Sequence, residues 1–421
     1  MINLNCNMTL EEMVWESIEQ IWDFYYKNDY PNSDNPDNKD ILQSSNFENH
    51  LGIRDVKSLR HTPFSIQNLI LKPESPNVIG MAQLLSAFSK LYSLTGDLKF
   101  RSSAYRIAEL LAKSKCDGYS GFCWGNNYDW QSEAFFLPEG TPSLVTSVMV
   151  GNSLFDAHEI FDDPELLKIA LSVVNFISDD IYRTPFEDTI CFAYSPLDKS
   201  LIHDANMMGA AYLSRASGHT HSHEHEELAY RSMEFSLSFQ RPDGSWYYGV
   251  SPSQKWIDSF HGGILINALR DYIKYSSRFE LESNLIRAAG YYTLNLITDD
   301  GIPKYSPNDV YPVDIHSCSQ AIITLGGLTE IIERYSPLLD KCLIWTLDNM
   351  KEDNAFGLWK NRAGTNTQPS LVWSQAWMLS ALTIYLRFMQ NNGIARPSEE
   401  FRGGYRIIFE ENGFSFEKVN G

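Results

Sequence analysis

Apolar positions along the chain fall into two alternating kinds of helical stretch. Stretches of the first kind are apolar on nearly every face, as in Ile264-Leu265-Ile266-Asn267-Ala268-Leu269. Helices of that kind belong in an interior. Six of them begin near Val78, Pro142, Asp204, Asp258, Asp314 and Leu371, spaced 54 to 64 residues apart. The second kind is amphipathic, near 98–114, 164–178, 222–239, 279–296 and 337–352. A sixth amphipathic stretch at about 10–28 carries Trp15, Ile18, Ile21, Trp22 and Tyr25 at helical spacing. Start signals support this division. Gly96-Asp97 closes one helix and caps the next, and Asp163-Pro164-Glu165 offers an N-cap, a first-turn proline and an acid.

Twelve helices in six pairs predict an all-α fold, the (α/α)6 toroid, with the apolar helices inside and the amphipathic ones outside. Each pair leaves a face that only the next pair covers, and closing the ring covers the last. Length alone favours two or three domains in 421 residues. The repeat instead predicts one domain over 1–421. Links from inner to outer helices are short, apart from the one at 218–226. Links from outer to inner helices are long, at about 115–141, 179–203, 240–257, 297–313 and 353–370, and rich in Gly, Pro, Trp and Tyr. Long loops of this kind carry function. All would open at the rim where the inner helices begin. Segment 29–77 is polar and rich in Asn, Asp and Pro, and reads as an irregular segment that wraps the outside or covers the rim. Within 400–421, two apolar runs flank Glu411-Asn412-Gly413 and read as a terminal hairpin, with a ragged tail as the alternative.

Charge narrows the partners. Lys and Arg number 34 against 53 Asp and Glu, a net charge of −19. Such a chain repels nucleic-acid phosphate and anionic membrane surfaces, so neither is an expected partner. No run of about 20 apolar residues offers a membrane span. Met1 to Glu12 lacks a basic start followed by an apolar run, so the expected location is cytoplasmic. The six cysteines form no CxxC pair and read as reduced thiols. No zinc spacing, phosphate loop or Gly-x-Ser-x-Gly elbow is present, so no metal and no cofactor is expected. The alternating His219, His221, His223 and His225 read as a solvated loop on the plain rim.

Candidate chemistry gathers where the inner helices begin. His203-Asp204-Ala205-Asn206, Asp258-Ser259-Phe260-His261 and Pro312-Val313-Asp314-Ile315-His316 each set an Asp at an equivalent position with a His nearby. Helix capping alone accounts for an Asp there, and stabilises by about 1 kcal/mol over Ala. Capping does not require His203, His261 and His316. The three aspartates and three histidines are therefore the candidate catalytic groups. Loop aromatics and amides suit sugars, whose apolar C–H faces are edged by hydroxyls. Trp124, Trp130, Gln131, Trp246, Trp373 and Gln375 are the candidate substrate-binding residues. The turn Gln240-Arg241-Pro242-Asp243-Gly244-Ser245-Trp246 resembles the repeat motif of terpenoid cyclases, read here as a turn-and-stack element.

Several stretches in order along 120–380 resemble a family found with bacterial exopolysaccharide and capsule genes, the polysaccharide biosynthesis proteins of the VpsJ type. They are Cys123-Trp124-Gly125, Asp129-Trp130-Gln131-Ser132, Gly140-Thr141-Pro142, the three Asp/His stretches, and Trp373-Ser374-Gln375-Ala376-Trp377. The family is similar in turn to the six-hairpin glycosidases, so the resemblance implies the same toroid and a setting in surface-polysaccharide metabolism. The leading expectation is a glycoside hydrolase-like enzyme whose Asp pair at the mouth supplies acid and base to an oligosaccharide or polysaccharide substrate. One alternative is a uronate lyase or epimerase in which His or Tyr abstracts a proton and Arg183, Lys255, Lys304 or Arg362 neutralises the substrate carboxylate. Another is a non-catalytic glycan-binding protein of a synthesis complex. The sequence fixes no oligomeric state.

Overall fold

A computed structural model describes residues 8–27, 77–126, 129–131, 136–352, 354–362, 364–366, 371–391, 405–410 and 413–418. Twelve α-helices run through the described residues: α1 (Leu10–Lys27), α2 (Val78–Thr95), α3 (Leu98–Lys113), α4 (Leu144–Phe161), α5 (Pro164–Asn175), α6 (His203–Thr220), α7 (His223–Ser238), α8 (Ser259–Ser276), α9 (Glu282–Asn295), α10 (Ile315–Thr329), α11 (Ser336–Met350) and α12 (Ala376–Gln390). Their ends follow the expected chemistry. Asn77 accepts from Gly80 N at 3.0 Å to cap α2, and Gly96 closes that helix in the left-handed conformation that a glycine adopts freely. Asp163 caps α5 with Pro164 in its first turn.

The inner ring is α2, α4, α6, α8, α10 and α12, each packed on the next. α12 packs back on α2, which closes the ring. α3, α5, α7, α9 and α11 each pack outside the inner helix that precedes them, and α1 packs outside α12. This is the expected (α/α)6 toroid. Close approach within the inner ring needs small residues: a Cβ on Gly151 of α4 would lie 2.2 Å from the Tyr212 hydroxyl of α6. Toward the C-terminal ends of the inner helices, Arg215 pairs with Asp156 at 2.9 Å and Glu159 at 2.6 Å, and Lys90 pairs with Asp156 at 2.7 Å. Three inner helices are tied together there by ion pairs around Asp156 and the buried Arg215. His221 ends α6 and Ser222 caps α7, while His223 is exposed beside Glu226.

Short strands decorate the opposite rim. They are β1 (Trp130–Gln131), β2 (Phe136–Leu137), β3 (Arg183–Phe186), β4 (Thr189–Phe192), β5 (Val313–Asp314), β6 (Lys351–Glu352), β7 (Ala355–Phe356), β8 (Trp359–Lys360) and β9 (Thr365–Asn366). β1–β2, β3–β4 and β6–β7 are hairpins, whereas β8 lies between β5 and β9. In the β5–β8 pair Val313 faces Lys360 and Asp314 faces Trp359. β10 (Tyr405–Glu410) pairs antiparallel with β11 (Gly413–Lys418) within the 400–421 stretch. Of the expected irregular segment at 29–77, only Asn77 falls among the described residues. Among them no helix is long and apolar enough to cross a membrane.

Candidate active site

Three inner-helix starts converge on the rim, and they differ in their capping. Asp258 is the N-cap of α8 and accepts from His261 N at 2.8 Å. Asp314 is the N-cap of α10 and accepts from His316 N at 2.8 Å. Asp204 lies two positions later in register. Ile202 occupies the N-cap of α6, and Asp204 sits in the first turn, where its Oδ1 accepts from Ala205 N at 2.6 Å. Capping therefore accounts for two of the three aspartates, whereas Asp204 is not a cap and accepts the Ala205 amide in the first turn.

Asp258 and His261 fold onto each other across one helical turn. His261 Nδ1 lies 2.7 Å from Asp258 Oδ2, and Trp256 Nε1 donates to the same oxygen at 3.2 Å. A carboxylate only accepts, so Nδ1 is the donor and the ring orientation is fixed. His261 Nε2 then points toward Asp204, 3.8 Å from its Oδ2. Tyr248 stacks on Trp256 with centroids 4.5 Å apart and meets the His261 ring edge-on at 4.8 Å. Tyr248 is held within its loop and against α6: Tyr248 N bonds Trp256 O, and His203 N, at the start of α6, bonds Tyr248 O.

These contacts set the protonation states. Burial alone would discharge His261, but the Asp258 charge, its hydrogen bond and Asp204 outweigh burial and push the imidazole up to about 9. Burial raises Asp258, yet His261 and the bonds from His261 and Trp256 bring its carboxyl below the ordinary value. Asp204 goes the other way. Burial, with Asp258 adding to it, raises its carboxyl despite His261 and the Ala205 amide. Burial followed by Asp204 keeps the Tyr248 phenol protonated well above its ordinary range. At neutral pH the site holds a proton on His261 between two carboxyl groups of opposite tendency.

Around the ring, His316 is buried with Nδ1 3.9 Å from Asp314 Oδ1. Burial holds this imidazole below its ordinary value, although Asp314 and the Trp373 backbone favour the cation. Its neighbours are rings: Phe260 at 5.5 Å, Trp373 at 5.5 Å and Trp377 at 5.1 Å. Phe260 also meets His261 at 5.3 Å, so one aromatic side chain touches both a charged and a neutral histidine.

Asp204, Asp258 and His261 are thus brought together, and His316 and Trp373 lie beside them through Phe260. Asp314 borders His316. His203 is turned away: its Nδ1 lies 3.1 Å from Ser236 Oγ of α7, and its ring packs on Phe235 and Phe239. Burial lowers it to about 4. Trp124 and Trp246 are buried structural residues, because each indole N–H donates to a last-turn carbonyl of an outer helix, Leu111 O and Ser236 O, both at 2.7 Å. Gln375 is consumed by the backbone of Phe356, accepting from its N–H at 3.1 Å and donating to its carbonyl at 2.7 Å. The backbones of Trp130 and Gln131 form β1, and their side chains lie outside the described residues. Sequence reasoning left out Tyr248, Trp256, Phe260 and Trp377. Each sits within two or three residues of a recognised site element or candidate loop stretch, which is the signal that could have found them. Among the described residues, no group of three His, Cys, Asp or Glu side chains is arranged to hold a metal ion.

Solved structures share this fold. A cellobiose 2-epimerase from Spirochaeta thermophila superimposes with a TM-score of 0.56 at 12% identity, covering 75% of this chain and 89% of that one. A polysaccharide lyase does so at 0.59 and 11%, covering 91% and 99%. The GH76 α-mannanase of Bacteroides thetaiotaomicron does so at 0.56 and 13%, covering 82% and 99%. At such identities the likeness is one of fold. No family model matches the chain, and no curated protein matches it significantly.

Proposed function

We propose that this protein is a carbohydrate-active enzyme working by acid–base catalysis at the toroid mouth, and that it cleaves a glycosidic bond. One observation carries the reading: Asp258, His261 and Asp204 form a single proton-holding chain beside the faces of Tyr248, Trp256 and Phe260. Groups whose environments push their proton affinities apart are the ones fitted to divide acid and base roles. His261 Nε2, with Asp204 beside it, gives a proton to the leaving oxygen. The neutral imidazole, still oriented by Asp258, then takes a proton from the attacking water. Asp258 is the positioning residue, and Asp314 lies outside this chain. The solved proteins of the same fold are, by their names, proteins that act on sugars. The resemblance of the rim stretches to the VpsJ-type family supports a surface-polysaccharide setting.

A second reading rests on His316. A neutral histidine and a charged one both touch Phe260, an arrangement suited to removing a proton from a sugar carbon and returning one, as a uronate lyase or epimerase requires. Incubation with neutral and uronic oligosaccharides in D2O separates the two. Hydrolysis yields new reducing ends without deuterium on carbon, falls at least about 10²-fold in His261→Gln and Asp204→Asn, and survives His316→Gln. Deuterium on a ring carbon or an unsaturated uronate, with activity lost in His316→Gln, replaces hydrolysis by proton abstraction. Tight sugar binding without turnover of any substrate sinks both.

A further inference from the structure

We propose that a rim cavity beside Arg362 is a subsite for the carboxylate of an acidic sugar residue. This rests on the glycan-acting reading above and names its substrate class. An open cavity of about 480 Å³ lies between the 308–312 loop and Asn361-Arg362. That volume falls in the range of small-molecule sites. Arg362 is exposed and has no hydrogen-bond or ion-pair partner among the described residues, in a chain with 53 acidic side chains. The acid nearest in the lining, Asp309, is committed elsewhere: its Oδ2 accepts from Ser306 Oγ at 3.0 Å and its backbone bonds the same serine. Lys304, the cation of the neighbouring loop, is turned onto the Pro307 carbonyl. Arg362 is presented by a closed turn, in which Asn361 Oδ1 accepts from Gly364 N at 2.9 Å and Asn361 N bonds Gly364 O. Half-buried Val310 and Tyr311 supply an apolar wall for a sugar face.

The cavity shares a frame with the catalytic end. β5 follows directly on Pro312 and ends at Asp314, and its partner β8 runs toward Arg362. His316 follows Pro312 by four positions, so their backbones are at most about 14 Å apart. On this placement the neighbouring residues of a short oligosaccharide bound at Arg362 lie along β5 toward His316. The guanidinium fork matches a carboxylate with two parallel hydrogen bonds. At the catalytic end the one cation described, His261, is already flanked by Asp258 and Asp204, so a second carboxylate finds no partner beside it. The ligand that fits is a heteropolysaccharide in which uronate residues are spaced by neutral sugars, not a continuous polyuronate.

Calorimetric titration of the full chain with fragments of hyaluronan, gellan and xanthan, each beside its carboxyl-reduced form, tests the subsite. At least one acidic fragment should bind about tenfold or more tighter than its reduced form. Arg362→Gln should erase that difference without moving the melting temperature, and Arg362→Lys should keep part of it. The subsite is wrong if no acidic fragment is preferred, or if Arg362→Gln keeps the preference. Turnover of these fragments and their reduced forms by wild type and His261→Gln is measured alongside. His261-dependent turnover without acid preference removes the subsite and leaves the catalytic reading standing. Arg362-dependent preference without His261-dependent turnover supports the subsite and removes the catalytic reading.

Discussion

Two Asp-His pairs begin neighbouring inner helices, and a difference of one residue separates their chemistry. Asp258 and His261 are three positions apart, about one helical turn, so the side chain that caps the helix also faces the imidazole, 2.7 Å from Nδ1. Asp314 and His316 are two apart, which turns the ring off the carboxylate to 3.9 Å and into a wall of Phe260, Trp373 and Trp377. Both histidines are buried enough for desolvation to head the list of influences. Only the first has a close anion to overcome it. The same cap-plus-histidine recipe thus yields one charged and one neutral imidazole, and spacing makes the difference.

The most damaging way to break this comparison is Asp258→Asn. Asparagine caps a helix about as well as aspartate, so the fold should hold. The amide removes the charge that keeps His261 protonated and offers a donor where an acceptor is needed. Activity should fall about 10²- to 10⁴-fold, and the NMR titration of His261 should move well down from its value near 9. An unchanged His261 titration would mean that Asp204 alone holds the proton.

Next in size is the alkaline limb of stability. His261 is raised from its ordinary 6.5 to about 9 in the folded state. Its contribution is complete below about 6.5 and is lost as pH rises through 9, on the order of 3 kcal/mol in all. Urea unfolding at pH 6 and pH 9.5 should show this loss in wild type, with a much smaller loss in His261→Gln. The neutral partner behaves oppositely. His316 is held below its ordinary value, so acid favours the unfolded chain as pH drops below about 6.5. His316→Gln should flatten that acid slope, and what remains should come from His203, lowered to about 4, and from the lowered carboxyls of Asp258 and Asp156.

The ring was legible because its signal is collective. Six all-round apolar stretches at regular spacing determine which helices are inside, and no single residue has to be right. The site was legible only in part, because it turns on direction. His203 and Asp204 are adjacent in sequence, yet successive helical residues point about 100° apart. One faces Ser236 on the outer helix and the other faces His261. Trp124 and Trp246 look like sugar platforms in a loop sequence. Their indoles instead help satisfy last-turn carbonyls of α3 and α7, groups that every helix leaves without partners of its own. The distance from each Trp back to its carbonyl, 13 and 10 residues, has no sequence period to reveal it.

The smallest effect comes from Asp314→Ala, and it sharpens the comparison most. The substitution removes the bond that His316 N donates to Asp314 Oδ1 and so the N-cap of α10. A lost N-cap costs about 1 kcal/mol. The His316 ring was held neutral by burial against Asp314's pull, so removing the acid should lower its proton affinity a little further without changing its charge at pH 7. Chemical denaturation should register the lost cap, while the His261 titration and the alkaline limb stay where they were. If instead Asp314→Ala shifts His261 as strongly as Asp258→Asn does, then Phe260 does not separate two independent histidines, and the mouth titrates as one coupled unit.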